Sequence, residues 1–383
     1  MQTIALDPAP SLAHAVTRGL AEPVDAAAIA CLPPMPVHVQ SVLHRQLFAG
    51  GRPRSVAVHT TPLGRIALIV LPLSAAEVYS GRSKLHGLTR QALEEARAVG
   101  ARVVSLTGLI PSATDLGRDV APAPGSGLPQ VTTGHATTVS AVVMTLRAAL
   151  AHARVSLERE TLACVGVGSI GSASLDLALR VLPAPARLVL CDLFSSRTQL
   201  ERVAQTLAAR HDIEIELAFS APGEVSNAVY DARVVLGATN VPDVLDVARL
   251  RPGTVLVDDS APHCFSVAQA RARIAESGDL FVSEGGLVRS PAPLQHRLFL
   301  PQVAGTQLDV LISSVLKQQA FASQQLMGCV LSSALSATRG CSRTLGPVEA
   351  ENAFEHYEAL VRLGFGAPDA QSVELVETHA AAG

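Results

Sequence analysis

From residue 161 to residue 284 the chain repeats one pattern. A short unbroken apolar run ends in small and polar residues, and apolar positions three and four apart follow. The runs lie at 161–167, 187–191, 232–236, 254–257 and 280–282, and 213–219 adds a strand in which Glu214 and Glu216 interrupt the apolar residues. Runs without polar alternation predict strands buried on both faces, and the helical spacing at 173–181 and 196–209 places helices between them. Strands alternating with helices predict a doubly wound parallel sheet of the Rossmann type, with ligands at the carboxyl ends of its strands. Ahead of it, 55–61 and 65–71 flank Pro62-Leu63-Gly64 as a hairpin. Positions 83–99 form a helix with Leu85, Leu88, Ala92, Ala96 and Val99 on one face, and 103–106 is a strand. Residues 1–53 show weak periodicity, with one helix at 11–20.

A helix carrying Val139, Val142, Val143, Leu146 and Leu150 joins the two units. The pattern at 306–337 predicts one long amphipathic helix whose only charges are Asp309 and Lys317, and 348–363 predicts a last helix stopped by Gly364. The expected organisation is therefore α/β: a poorly defined segment at 1–53, a smaller N-terminal α/β domain at 54–134, a Rossmann-type dinucleotide-binding domain at 135–300, and C-terminal helices at 301–383.

Composition narrows this picture. Apolar residues make up 48% but aromatics only 3%, so Ala, Val and Leu must build the core, as suits helices packed on a parallel sheet. A net charge of −3 gives no reason to propose nucleic acid as a partner. The apolar run at 66–76 is too short to span a bilayer and holds Pro72, and no signal-peptide pattern opens the chain, so no transmembrane segment is expected. Cysteines 31, 164, 191, 264, 329 and 341 stand far apart without a C-x-x-C pair. That spacing predicts neither a metal site nor a disulfide framework, and fits a reducing cytoplasm.

Candidate chemistry begins at Gly166, Gly168 and Gly171, a G-x-G-x-x-G turn set between a strand and a helix. The first glycine makes the turn, the second lets the backbone approach a pyrophosphate, and the third lets helix and strand pack. The helix start at Ser169 and Ile170 supplies partial positive charge. Asp192, 21 residues past Gly171, ends the next strand, where an acid would bond an adenosine ribose. Its charge favours NADH, whereas Arg197 could pair with a 2′-phosphate and favours NADPH, so both cofactors stay open. Ala238, Thr239 and Gly286, after later strands, complete the candidate cofactor set.

Gly328 falls inside the predicted long helix, where it costs about 1 kcal/mol against alanine, beside Cys329. A missing side chain there would let a ligand approach the sulfur, which could act as a nucleophile or be core filler. Cys264, next to His263 at a strand end, is its rival. His135 and Thr133, at the start of the joining helix, are candidates for proton transfer or for oxyanion binding, and packing is the alternative for His135.

Five landmarks in order carry a family resemblance: Leu106-Thr107-Gly108, Thr132-Thr133-Gly134, the glycine turn, Glu284-Gly285-Gly286-Leu287-Val288 and Gln325-Leu326-Met327-Gly328-Cys329. Over roughly 55–364 the chain resembles the cyanobacterial aldehyde-forming long-chain acyl-(acyl-carrier-protein) reductases. The resemblance implies an acyl-enzyme on Cys329 that NADPH reduces to a fatty aldehyde. It implies acyl-carrier protein or an acyl-coenzyme A as substrate, and leaves open an enzyme that consumes the aldehyde. Arg82, Lys84 and Arg90 are a candidate patch for an acidic carrier. The chain departs from the family in a shorter glycine turn, in His135 for Asn, and in Asp258-Asp259-Ser260-Ala261-Pro262-His263 where the family has Asp-Gly-Gly-x-Pro-Lys. The alternatives are a two-domain shikimate- or amino-acid-type dehydrogenase without covalent catalysis, a glutamyl-tRNA-reductase-like enzyme, and a non-catalytic NAD(P)-binding sensor.

Overall fold

Two sheets of apolar strands meet across one buried helix. The computed structural model describes residues 4–6, 11–32, 37–48, 50–299 and 324–368. The first sheet holds β1 (Ile4–Leu6), β2 (Ala26–Leu32), β3 (Arg54–Thr61), β4 (Gly64–Ser74), β5 (Val103–Leu106) and β6 (Gln130–Thr132). The second holds β7 (Thr161–Val165), β8 (Arg187–Leu193), β9 (Ile215–Ser220), β10 (Val234–Gly237), β11 (Thr254–Asp258) and β12 (Leu280–Glu284). Its spatial order is β12-β11-β10-β7-β8-β9 and every pairing is parallel, which is the doubly wound Rossmann arrangement. Alternate residues of these strands enter two separate cores: Cys164, Leu190 and Leu236 lie in one, and Ala163, Val189 and Val235 in the other. Helices cover both faces, so the strands can be apolar throughout.

The switch in strand order falls between β7 and β10. Helix α6 (Ser169–Val181) leaves the glycine turn that follows β7, and α7 (Arg197–Arg210) follows β8. Helix α5 (His135–Ala153) packs on β11 and β12 and against α6. By length and composition α5 could cross a bilayer, but 72% of its most apolar window is buried inside the protein, as a core helix would be.

The first sheet departs from the sequence expectation. Its order is β1-β14-β3-β4-β2-β5-β6, where β14 (Gln295–Leu298) returns from beyond the Rossmann unit and pairs antiparallel with β3. Residues 26–32, expected to be poorly defined, form a central strand with parallel partners on both sides. The sequence Ala-Ala-Ala-Ile-Ala-Cys-Leu has no polar alternation because this strand too is covered twice. On one face lies α3 (Arg82–Ala98) and on the other the helix carrying Cys329. The N-terminal unit therefore carries a seven-stranded mixed sheet that takes one strand from beyond the Rossmann unit.

The second departure concerns the long C-terminal helix. Most of 306–323 lies outside the described residues. The part described is a short strand, β15 (Gln325–Met327), paired antiparallel with β13 (Leu287–Arg289), and then the helix Gly328–Arg339. We call this helix α10 and the final one, Ala350–Arg362, α11. Gly328 thus starts a helix instead of interrupting one, and its N–H is bonded to the Gly286 carbonyl at 2.8 Å.

The starts of α5 and α10 cross at very short range. A Cβ on Gly134 would lie 2.8 Å from the Cys329 Cα, and one on Gly328 would lie 3.0 Å from the Thr137 carbonyl oxygen. Gly134 also needs a left-handed backbone, φ +76°. Gly134→Ala is expected to destabilise the fold by about 3 kcal/mol, through backbone strain and overpacking together. Gly328→Ala, without the φ penalty, should cost about half as much. Urea unfolding midpoints of the two variants check this order.

Candidate functional site

The α5–α10 crossing sits at the edge of a cleft of about 520 Å³ at the carboxyl ends of the strands. Gly166, Gly168, Ser169 and Ile170 line one wall, and Asp192 and Leu193 continue it. Ala238, Thr239 and Asn240 face them from the end of β10. The inner end is closed by Gly108 and Leu109 of the first unit, by Thr133 and His135, and by Asp259, Met327 and Cys329. Residues from three distant parts of the chain therefore share one space.

The glycine turn has the form that a nucleotide requires. Gly166 has φ +87°, and a Cβ there would meet the Ala238 carbonyl at 2.5 Å. Gly168, which caps α6, has nothing within 4 Å of the place where its Cβ would be, so the backbone at the helix start lies open to the cleft. Asp192 accepts hydrogen bonds from the N–H groups of Val167 at 2.9 Å and Leu193 at 2.7 Å, which fixes its carboxylate beside the turn.

Cys329 is the second residue of α10, partly exposed to the cleft. Burial, with the charge of Asp259 added, pushes its thiol up to about 12, while the amides of Gly108, Val330 and Cys329 itself pull the other way. Gly108 is delivered by the loop after β5, where Thr107 donates its N–H and its hydroxyl to the Ile29 carbonyl. His135 is 7% exposed, and burial depresses its imidazole to about 4, so the ring is neutral. Its Nδ1 is buried without a hydrogen-bond partner.

Behind Asp259 lies a cluster of ionisable groups. Asp258 is 1% exposed and pairs with His263 Nδ1 at 2.9 Å, while His263 Nε2 stands 3.4 Å from Glu284. Burial and then the charges of Glu284 and Asp258 hold the Asp259 carboxyl well above its ordinary range. Burial also raises Glu284 to about 7, with His263 opposing and Asp258 adding to the rise. Burial lowers His263, but the Asp258 hydrogen bond and the charges of Glu284 and Asp258 outweigh it and leave the ring raised. Among the described residues no three His, Cys, Asp or Glu side chains are arranged to hold a metal ion.

Of the residues that the sequence singles out, Thr133, His135, Cys329, Gly166, Gly168, Ser169, Ile170, Asp192, Ala238 and Thr239 line the cleft. Three candidates do not. Gly171 packs helix against strand below the turn, Gly286 anchors the start of α10, and Arg197 turns its Nε to Glu201 at 2.7 Å. Cys264, the rival thiol, is fully buried with its sulfur against Asp258, and burial raises it far above the ordinary thiol range. Asp259 and Gly108 are site residues that sequence reasoning missed, although an acid at the carboxyl end of a strand is a readable signal. Arg82, Lys84 and Arg90 stand beside Asp119, Glu77 and Glu94, so this face carries no surplus of positive charge from them.

No protein-family model matches this sequence, and neither does any curated protein. Among solved structures it is similar to shikimate 5-dehydrogenase from Listeria monocytogenes, with 11% identity over 68% of this chain and 85% of that one and a TM-score of 0.35. L-tryptophan dehydrogenase from Nostoc punctiforme has 11% identity over 88% of each chain and a TM-score of 0.35. A dipicolinate synthase chain from Bacillus halodurans has 14% identity and a TM-score of 0.30. That match covers 45% of this chain and spans about half, 55%, of the synthase chain. Only this chain's own residues decide what the cleft does.

The acid cluster makes stability depend on pH. A carboxyl raised in the folded state holds its proton more tightly there than in the unfolded chain. Its contribution is full below the ordinary value of 4.5 and is lost as pH climbs through about 7. Glu284→Gln removes this titration. The variant should gain stability relative to the wild type between pH 5 and 7, by up to about 1.4 kcal/mol per pH unit. Urea midpoints at pH 5, 6 and 7 give the measurement; a constant difference between the two proteins would refute the assignment.

Proposed function

We propose that this protein is a nicotinamide-dependent oxidoreductase that reduces an acyl thioester to an aldehyde through an acyl group held on Cys329. The observation that carries this reading is the meeting of Cys329, His135 and the glycine turn in the lining of one cleft. The cleft suits the cofactor. Gly166, Gly168, Ser169 and Ile170 would hold a pyrophosphate, Asp192 an adenosine ribose, and Ala238 and Thr239 would flank the ring end. When bound, the reduced nicotinamide supplies the hydride.

The remaining steps belong to the protein. Cys329 attacks the acyl carbon, the carrier's carbon–sulfur bond breaks, and the proton of Cys329 passes by way of His135 to the carrier sulfur. With the thiol held near 12 and the imidazole near 4, a separated thiolate–imidazolium pair would cost on the order of 10 kcal/mol. The proton therefore moves as the new bond forms and not before it. The amide of Gly108 and the start of α10 stabilise negative charge on the sulfur. Leu106, Leu109, Pro111 and Leu116 give the acyl group an apolar wall.

One observation favours a second reading. A thiol raised to about 12 is no nucleophile at rest, whereas His135 and Asp259 could serve proton transfer in a dehydrogenase without covalent catalysis. The two readings part on one measurement. Intact mass after incubation with acetyl-, octanoyl- or palmitoyl-coenzyme A and no cofactor should show an added acyl group on Cys329, which Cys329→Ala loses while still binding NADH. Failure of all three donors, and of the same acyl groups on acyl-carrier protein, to modify the wild type would sink the covalent reading.

The fixed Asp192 carboxylate and the diversion of Arg197 to Glu201 favour NADH. Fluorescence titration should find NADPH at least about 10-fold weaker than NADH, and Asp192→Ser should narrow the gap by relieving repulsion of the 2′-phosphate.

A further inference from the structure

Resting on the covalent reading, we propose that Asp259 is the acid that returns a proton to the Cys329 sulfur when the acyl–sulfur bond breaks, and that Glu284 and His263 resupply it. Asp259 and Cys329 both line the inner end of the cleft, close enough for the carboxyl charge to act on the thiol. The carboxyl lies against Gly286, whose carbonyl holds the N–H of Gly328 at the start of α10. Asp259 is thus fixed to the element that carries the sulfur.

Charge balance places the proton. Strands β11 and β12 bring Asp258 level with Glu284, and Asp259 follows directly. The groups facing Asp259 are Asp258 from its own strand, Glu284 from the neighbouring strand and Cys329 from α10, with His263 between Asp258 and Glu284. Among the described residues no lysine or arginine acts on Asp259 or Glu284. One histidine can offset one of three carboxylates, and Asp258 takes it at 2.9 Å. Two further charges crowded beside it would be unpaired, so Asp259, which has no cation of its own, keeps its proton. It is an acid on the cleft wall, and Glu284 behind it titrates near neutrality.

The step balances. Hydride addition to the Cys329 thioester forms a carbon–hydrogen bond and leaves an oxyanion on the substrate. Re-formation of the carbonyl breaks the carbon–sulfur bond and leaves the electron pair on Cys329. The Asp259 proton moves to that sulfur, directly or across one water, and the aldehyde departs. Asp259, now a carboxylate, takes a proton from Glu284, and Glu284 takes one from solvent. One proton is consumed per turnover, as reduction of a thioester to an aldehyde and a thiol requires. A bare thiolate in this buried position is otherwise a poor leaving group, since burial holds its conjugate acid up to about 12.

The test uses the full-length protein acylated by acetyl-, octanoyl- or palmitoyl-coenzyme A without cofactor, followed by a single addition of NADH. Mass spectrometry follows the acyl group on Cys329. Asp259→Asn should acylate and bind NADH within about twofold of the wild type but clear its acyl group at least about 100-fold more slowly. Wild-type clearance should fall as pH rises and Asp259 ionises. In Asp259→Asn it should be slow and independent of pH, and Asp259→Glu should recover both rate and profile. Clearance by Asp259→Asn at the wild-type rate with an unchanged pH profile would overturn this inference and leave the covalent reading standing. A wild type that none of the three donors acylates, and that acyl-carrier protein does not acylate either, would bring down both.

Discussion

The site depends on two helix starts touching where neither has a side chain. Gly134 meets the backbone of Cys329, and Gly328 meets the backbone of Thr137. With the side chains absent, α5 and α10 approach more closely than ordinary ridge-into-groove packing permits. Two consequences follow from this one contact. His135, the residue after Gly134, and Cys329, the residue after Gly328, are brought to the same wall of the cleft. The hydrogen bond from Gly328 to Gly286 also ties that crossing to the end of β12, and so to the acid cluster. Sulfur, imidazole and carboxyls are positioned by backbone, which is stiffer than any side-chain arrangement could be.

Such burial gives the cleft a particular electrostatic character. Burial pushes its thiol up to about 12, depresses its imidazole to about 4 and raises the Asp259 carboxyl well above its ordinary range, and Asp258 and His263 hold each other as a pair. Groups held in this way favour proton movement between neutral partners over storage of a separated ion pair. In a low-dielectric site this arrangement avoids the desolvation cost of separated charges, and each transfer is short. It also explains how three carboxyls can cluster behind the cleft wall where, among the described residues, no lysine or arginine acts on Asp259 or Glu284.

Much of this is legible in the sequence. The Rossmann unit announces itself because its strands are unbroken apolar runs and its glycines must stand at fixed spacing. Cys329, His135 and the turn stand out for the same reason: each is a chemically distinctive residue next to a glycine that backbone contact demands. What is not legible is tertiary in origin. Residues 26–32 carry no alternation and little β-branching, and only their coverage by α3 and α10 makes them a strand. The strand 295–298 pairs with β3 across more than two hundred residues of sequence, which no local pattern reports. Gly328 looks like an interruption because the apolar period runs on through it, whereas β13 claims 325–327 as a partner and restarts the helix. Asp259 reads as part of a motif and not as an acid, since its carboxyl is raised by tertiary burial and then by the charges of Glu284, on the next strand, and Asp258.

The threading that hides those elements also constrains how the cleft is made. The first sheet needs β14 from beyond the Rossmann unit and the cover of α10 from still later in the chain, where Ser333 donates its N–H to the Ser105 hydroxyl. Neither unit is complete until the C-terminal part has folded back between them. Gly108, on the loop after β5, can therefore meet Cys329 only in the finished molecule, and a loosely docked first sheet would withdraw the amide that favours charge on the sulfur. Contacts of such long sequence separation form late, after the loop-closure entropy of the intervening chain has been overcome. The surroundings of Cys329 are thus supplied by contacts between distant parts of the chain, which couples the geometry of the cleft to completion of the fold.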